Sequence, residues 1–209
     1  MRCLENRSQI LAKRLSAIRP DPCLELTAAE SGDWTAKKHF PNEAHRFIHS
    51  RIDPKKEAKL WLQSQDLIMP CLVILGVGLG YQVFELFKNC RSPEHAYLIE
   101  ADEGLFRLAL TVYDFSSLIQ NTRVHFIVGE PFSVVAKRLL TSLIQSFSCH
   151  LVSGAVSSCP DRYTPVRKLV EKHLYALRLR EKNGETSTRG QRLAVVQGVE
   201  HLLNQMRTT

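Results

Sequence analysis

Three glycines spaced by two, Gly76, Gly78 and Gly80, break the apolar run Leu72-Val73-Ile74-Leu75, and an amphipathic segment from Gln82 to Asn89 follows at once. The pattern reads as a buried strand, a tight turn and a helix N-terminus. Such a turn offers backbone N–H groups and the positive end of a helix dipole to an anion, and the missing Cβ atoms let a ligand approach closely. A second apolar run, Ala96 to Ile99, ends at Glu100, twenty residues after Gly80. An acidic side chain at that place in a βαβ unit can accept hydrogen bonds from ribose hydroxyls. Gly76, Gly78, Gly80, Tyr81 and Glu100, with Glu130 after the next strand, are therefore the candidate site for a nucleotide or S-adenosylmethionine. The same glycines also suit a close-packed strand-to-helix turn with no ligand, and the spacing alone leaves both readings open.

The order G-x-G-x-G differs from the dinucleotide G-x-G-x-x-G and looks more like the first motif of S-adenosylmethionine-dependent methyltransferases. Those enzymes usually carry an acid two positions before the first glycine, and here that position is Ile74. No G-K-[ST] ending, G-x-S-x-G or Ser-His-Asp order is present, so NTP hydrolysis and nucleophilic hydrolysis lose support. Asp102 suits a helix N-cap, and neither it nor Glu130 stands out as a general base. The segment Glu43-Ala-His45-Arg46-Phe47-Ile-His49-Ser50-Arg51 is dense in polar side chains. Extended, it would align His45, Phe47, His49 and Arg51 on one face, able to bind an anion, but a connector bonding to backbone groups is the simpler reading. Ser50 and Arg51 are the residues singled out within it. His95, His125 and His150 read as ordinary strand-end histidines rather than metal ligands. Cys3, Cys23, Cys71, Cys90, Cys149 and Cys159 lack C-x-x-C spacing and read as reduced thiols.

The elements that must position these residues follow from periodicity. Leu4, Leu11, Leu15 and Ile18 predict a helix that Pro20 and Pro22 stop. Residues 24–28 and 34–37 predict a hairpin around Gly32, and Asp53-Pro54 opens a helix with Ala58, Leu62 and Leu67 near one face. From Cys71 onward strands 71–75, 96–100, 123–128 and 149–153 alternate with helices 81–89, 103–112 and 132–147. That alternation predicts a Rossmann-like, doubly wound α/β fold with a mainly parallel sheet. Gly78, Glu100 and Glu130 would then converge on one crevice at the strands' carboxyl ends. A helix from Pro165 to about Glu181 and a second apolar stripe at 193–206 complete the chain. The expected division is an appendage at 1–68, the α/β domain at 69–182 and a helical extension at 183–209.

With 209 residues and 44% hydrophobic content the chain can bury a proper core. No apolar run reaches the length of a membrane helix, nothing resembles a signal peptide, and a cytoplasmic protein is expected. The formal charge is +7, and residues 161–209 hold ten Lys/Arg against five Asp/Glu. Tyr163 and Tyr175 are the sole aromatics there, so a solvated helix face or an acidic protein neighbour is favoured over nucleic acid.

His49-Ser50-Arg51-Ile52-Asp53-Pro54-Lys55-Lys56-Glu57-Ala58, then Val73 to Tyr81, Leu98 to Asp102 with Leu105-Phe106-Arg107, and Val124 to Glu130 resemble the amino-terminal region of bacterial motility accessory factors. These are flagellin glycosyltransferases that move nonulosonic acids onto Ser/Thr. The resemblance runs from about residue 24 to 180 and implies a Rossmann-like domain. It also implies that sugar transfer from a CMP-activated donor belongs to a central domain that follows. No catalytic residue is carried over. The chain is expected to be a recognition or scaffolding domain, not catalytic alone, whose partners are flagellin or a glycosyltransferase catalytic domain. The 193–206 stripe is expected to contact flagellin or that catalytic domain, and its exposure would otherwise favour self-association into a homo-oligomer.

Overall fold

The computed structural model describes residues 2–42, 44–65, 67, 71–89, 93–142 and 147–182. Glu43, Cys90 and the stripe at 193–206 lie outside the described residues.

Two short helices, α1 (Arg2–Arg7) and α2 (Gln9–Ala17), replace the single helix expected over 4–18. The break falls at Ser8, whose side chain caps α2 by accepting from Leu11 N–H. A three-stranded antiparallel sheet follows, β1 (Leu24–Ala28), β2 (Trp34–His39) and β3 (His45–Phe47). The predicted hairpin is β1–β2, with Thr27 opposite Thr35. Helix α3 (Pro54–Gln63) then begins at the predicted cap, where the Asp53 carboxylate accepts from Lys56 N–H at 2.8 Å.

The second sheet is parallel and four-stranded: β4 (Cys71–Leu75), β5 (His95–Glu100), β6 (Val124–Val128) and β7 (Phe147–Leu151), in the order β6-β5-β4-β7. Helices α4 (Tyr81–Asn89), α5 (Glu103–Val112), α6 (Ser116–Gln120) and α7 (Phe132–Ser142) connect them, and α8 (Ser153–Ser158) and α9 (Pro160–Lys182) follow. Alternate residues of β4 enter opposite cores. Leu72 and Ile74 pack with Leu86, Leu105 and Phe106, whereas Val73 and Leu75 pack with Val135, Leu139, Tyr163 and Val166. Burial on both faces is why β4 reads as an unbroken apolar run. The fold is α/β and Rossmann-like, as expected.

The last strand lies two residues earlier than the predicted 149–153, so residue 147, expected to close the preceding helix, opens the strand. Helix α9 runs through Pro165 instead of starting there. Both sheet edges are capped by side chains: Trp61 Nε1 donates to Leu151 O on β7, and Arg7 and Arg14 donate to Val124 O and Val128 O on β6. Arg7 and Arg14 thus occupy two of the outward carbonyls of the β6 edge. Among the described residues no helix is long and apolar enough to cross a membrane.

Candidate functional site

The chain winds outward from β4 through β5 to β6, then crosses back to place β7 on the other side of β4. The topological switch point, where folds of this kind hold their ligands, is thus between the carboxyl ends of β4 and β7. The glycine turn leaves β4 there, and α8 leaves β7. Residues 76–80 are all buried, and Gly76, Gly78 and Gly80 have φ of 84°, 57° and 96°.

Every N–H of the turn already has an acceptor in the chain. Gly76 N–H donates to Ile99 O at 2.8 Å, and Gly80 N–H to Val77 O at 3.0 Å. Val77 and Gly78 N–H both donate to Glu100 Oε2, at 2.9 and 3.0 Å. Leu79 N–H donates to His49 Nε2 at 2.8 Å. The other Glu100 oxygen, Oε1, accepts from Asp102 N–H at 3.0 Å and from the Tyr163 hydroxyl at 2.6 Å. That hydroxyl in turn accepts from Ala101 N–H at 3.0 Å. Glu100 is 1% exposed, and burial pushes its pKa above the ordinary carboxylate value while its four donors pull the other way. Tyr163, also buried and beside that carboxylate, has its pKa pushed well up.

The space above the turn is taken too. A Cβ on Gly78 would sit 2.5 Å from His49 Nε2, and one on Gly80 would sit 2.6 Å from Phe115 Cζ. Gly154, in the first turn of α8, lies directly against the Ile48 carbonyl, so residues 47–49 fill the switch point from the other side. Because His49 Nε2 accepts a hydrogen bond, the ring hydrogen belongs on Nδ1, which lies 3.6 Å from Glu57 Oε2. Glu57 Oε2 accepts from Ser50 N–H at 3.0 Å, and Ser50 Oγ accepts from Ile52 and Asp53 N–H. Glu57 has a lowered pKa, although burial opposes the shift: the His49 ring and the Ser50 N–H hold it down. Ser50, Asp53 and Glu57 thus form one hydrogen-bonded unit that locks the connector onto α3, and His49, beside Glu57, ties it to the glycine turn.

Two expectations bear on this geometry. Glu100, expected to face ribose, gives its two oxygens to four donors of its own chain. Of the three residues expected to share one crevice, Gly78 and Glu100 meet at 3.0 Å, whereas Glu130 is turned to α2. Glu130 binds Arg14 of α2 at 2.8 Å, and it shares with Glu100 a cavity of about 180 Å³, bounded by Phe132, Arg162 and Tyr163, that the glycines do not line. Tyr81 points to the small sheet, where its hydroxyl donates to Trp34 O at 2.7 Å and meets the Tyr113 hydroxyl. Burial and Tyr113 push the Tyr81 pKa up. Arg51 lies over the Phe47 ring, 5.4 Å from its centroid, and His45 packs edge-on against the same ring.

His95 and His125 pair at 3.2 Å, and burial holds the His125 pKa down. His150 bonds Gln65 and Ser148. Among the described residues no group of three or more His, Cys, Asp or Glu is placed to hold a metal ion. Asp102 is the N-cap of α5, as expected, accepting from Leu105 N–H, and it also pairs with Lys38 of β2. Tyr163 and Phe115, which complete the packing around the turn, carried no motif signal.

Residues 10–149 match the glycosyltransferase Maf N-terminal domain family. The chain belongs to this family. No curated protein matches the chain. Among solved structures it is similar to the Maf glycosyltransferase from Magnetospirillum magneticum AMB-1, at a TM-score of 0.55 and 17% identity over 75% of this chain. That likeness is one of fold. The chain spans about a third of that Maf glycosyltransferase, since the match covers 33% of its length. The Maf match takes in His49, the glycine turn, Glu100 and Glu130, and stops before Tyr163.

Proposed function

We propose that this domain serves flagellin glycosylation as a recognition or scaffolding module, holding flagellin or a transferase catalytic domain without a catalytic centre of its own. The family supports a glycosyltransferase-related role. The observation that carries the rest is the closure of the glycine turn: its five N–H groups are bonded within the chain, and His49 and Phe115 occupy the space its glycines leave. A phosphate or ribose entering there would first have to displace a buried carboxylate and a buried imidazole. Nothing in the geometry favours the methyltransferase alternative, for Ile74, which stands where those enzymes carry an acid, is fully buried in the sheet.

The test is a transfer assay. Flagellin incubated with a CMP-activated nonulosonic acid and this chain alone is expected to show no mass gain by mass spectrometry. A gain of one sugar would place a transfer centre within these residues and overturn the reading.

A further inference from the structure

The amino-terminal helices and the edge of β6 enclose a groove of about 430 Å³ that is separate from the glycine turn. Its floor is strand backbone. Ala96 N–H donates to Arg123 O, and Gly129 N–H donates to Glu100 O, so residues 123 to 129 alternate, odd numbers toward β5 and even numbers outward. The outward carbonyls of Val124 and Val128 are taken by Arg7 and Arg14, which leaves Phe126, between them, with N–H and C=O facing the groove. The two guanidinium groups differ in charge balance. Arg14 is paired with Glu103 and Glu130, whereas Arg7 bonds only carbonyl oxygens, those of Ile119, Asn121 and Val124, and meets no carboxylate among the described residues. Ile10, 76% exposed, is an apolar side chain on the helix wall between the two arginines.

From this juxtaposition we propose that the groove receives an extended segment of a partner protein. That segment adds at β6 through Phe126, sets an apolar side chain against Ile10 and brings one Asp or Glu to Arg7. Edge strands recruit extended peptides in this way: main-chain hydrogen bonds give affinity, and alternate side chains give selectivity. The carboxylate would supply the charge-assisted partner that Arg7 lacks. The capped carbonyls at Val124 and Val128 restrict the addition to a short register centred on one residue, so a long β-strand is excluded.

The probe is the heptapeptide Ac-Thr-Glu-Thr-Val-Thr-Val-Thr-NH2, used with its reversed sequence, because the direction of the added strand fixes which end of the peptide meets Arg7. By titration calorimetry one of the two is expected to bind with a Kd below about 1 mM. Exchanging its Glu for Lys should weaken binding at least roughly tenfold, and N-methylating the central Val at least roughly fivefold. Ile10→Glu, at an exposed position, should weaken it roughly fivefold with the melting temperature unchanged. Failure of both peptides to bind, equal affinity of the Lys version, or indifference to N-methylation would each overturn the proposal.

Discussion

Replacing Glu100 by alanine is expected to destabilise the domain by about 4 kcal/mol, a fall of roughly 10 °C in Tm for a chain of this size. The variant removes one acceptor from four donors at once, the N–H groups of Val77, Gly78 and Asp102 and the Tyr163 hydroxyl, in a place that is 1% exposed. A single buried donor left unsatisfied costs about 1–3 kcal/mol, and relaxation of the turn recovers part of the total. Glu130→Ala is the matched control. Its carboxylate forms a partly exposed ion pair with Arg14, and pairs of that kind contribute about 0–1 kcal/mol. Chemical denaturation of both variants decides the matter. Equal losses would mean that Glu100 is an ordinary strand-end acid and not the acceptor that holds the turn.

Gly78→Ala is expected to cost about 3 kcal/mol or more, against about 1 kcal/mol for Gly32→Ala. Both residues sit at positive φ, 57° and 84°, so both substitutions incur backbone strain. They differ in what the new methyl group meets. At Gly32 there is nothing within 4 Å, whereas at Gly78 the methyl group would lie 2.5 Å from His49 Nε2 and 3.0 Å from Ile48 Cγ2. The imidazole must then move and release Leu79 N–H. Combining the variant with His49→Ala separates strain from collision: the added cost of Gly78→Ala should fall by at least about 1 kcal/mol in that background. Strict additivity would show that His49 does not fill the space over Gly78.

Much of the fold was legible because β4 and β5 are buried on both faces and the turn after β4 needs three residues at positive φ. Short elements were not legible. β3 has three residues, α6 five and α8 six, too few for any period to emerge, and β3 matters most because it delivers His49 to the turn. At the candidate site Glu100 accepts from Val77, Gly78 and Asp102 N–H and from the Tyr163 hydroxyl, an arrangement its spacing does not announce. An acid twenty residues after Gly80 gives the same signal whether its oxygens accept from ribose hydroxyls or from backbone N–H groups, since both are hydrogen-bond donors. What decides between them is Tyr163, sixty-three residues further on, and His49, thirty before Leu79. Neither separation leaves a local pattern. Of the connector's side chains, His49 and Ser50 bond backbone N–H groups, whereas the more conspicuous Arg51 lies over the Phe47 ring.

The closure of the glycine turn is tested most directly by amide hydrogen exchange resolved to single residues, with and without S-adenosylmethionine, S-adenosylhomocysteine or CMP. If the N–H groups of Val77, Gly78 and Leu79 are held by Glu100 and His49, they should exchange only through global unfolding, as slowly as the centre of β4. No nucleotide should change those rates or shift the corresponding resonances. Rapid exchange of these three amides in the free protein, slowed on addition of one of the nucleotides, would show an open turn waiting for a ligand and would contradict the account.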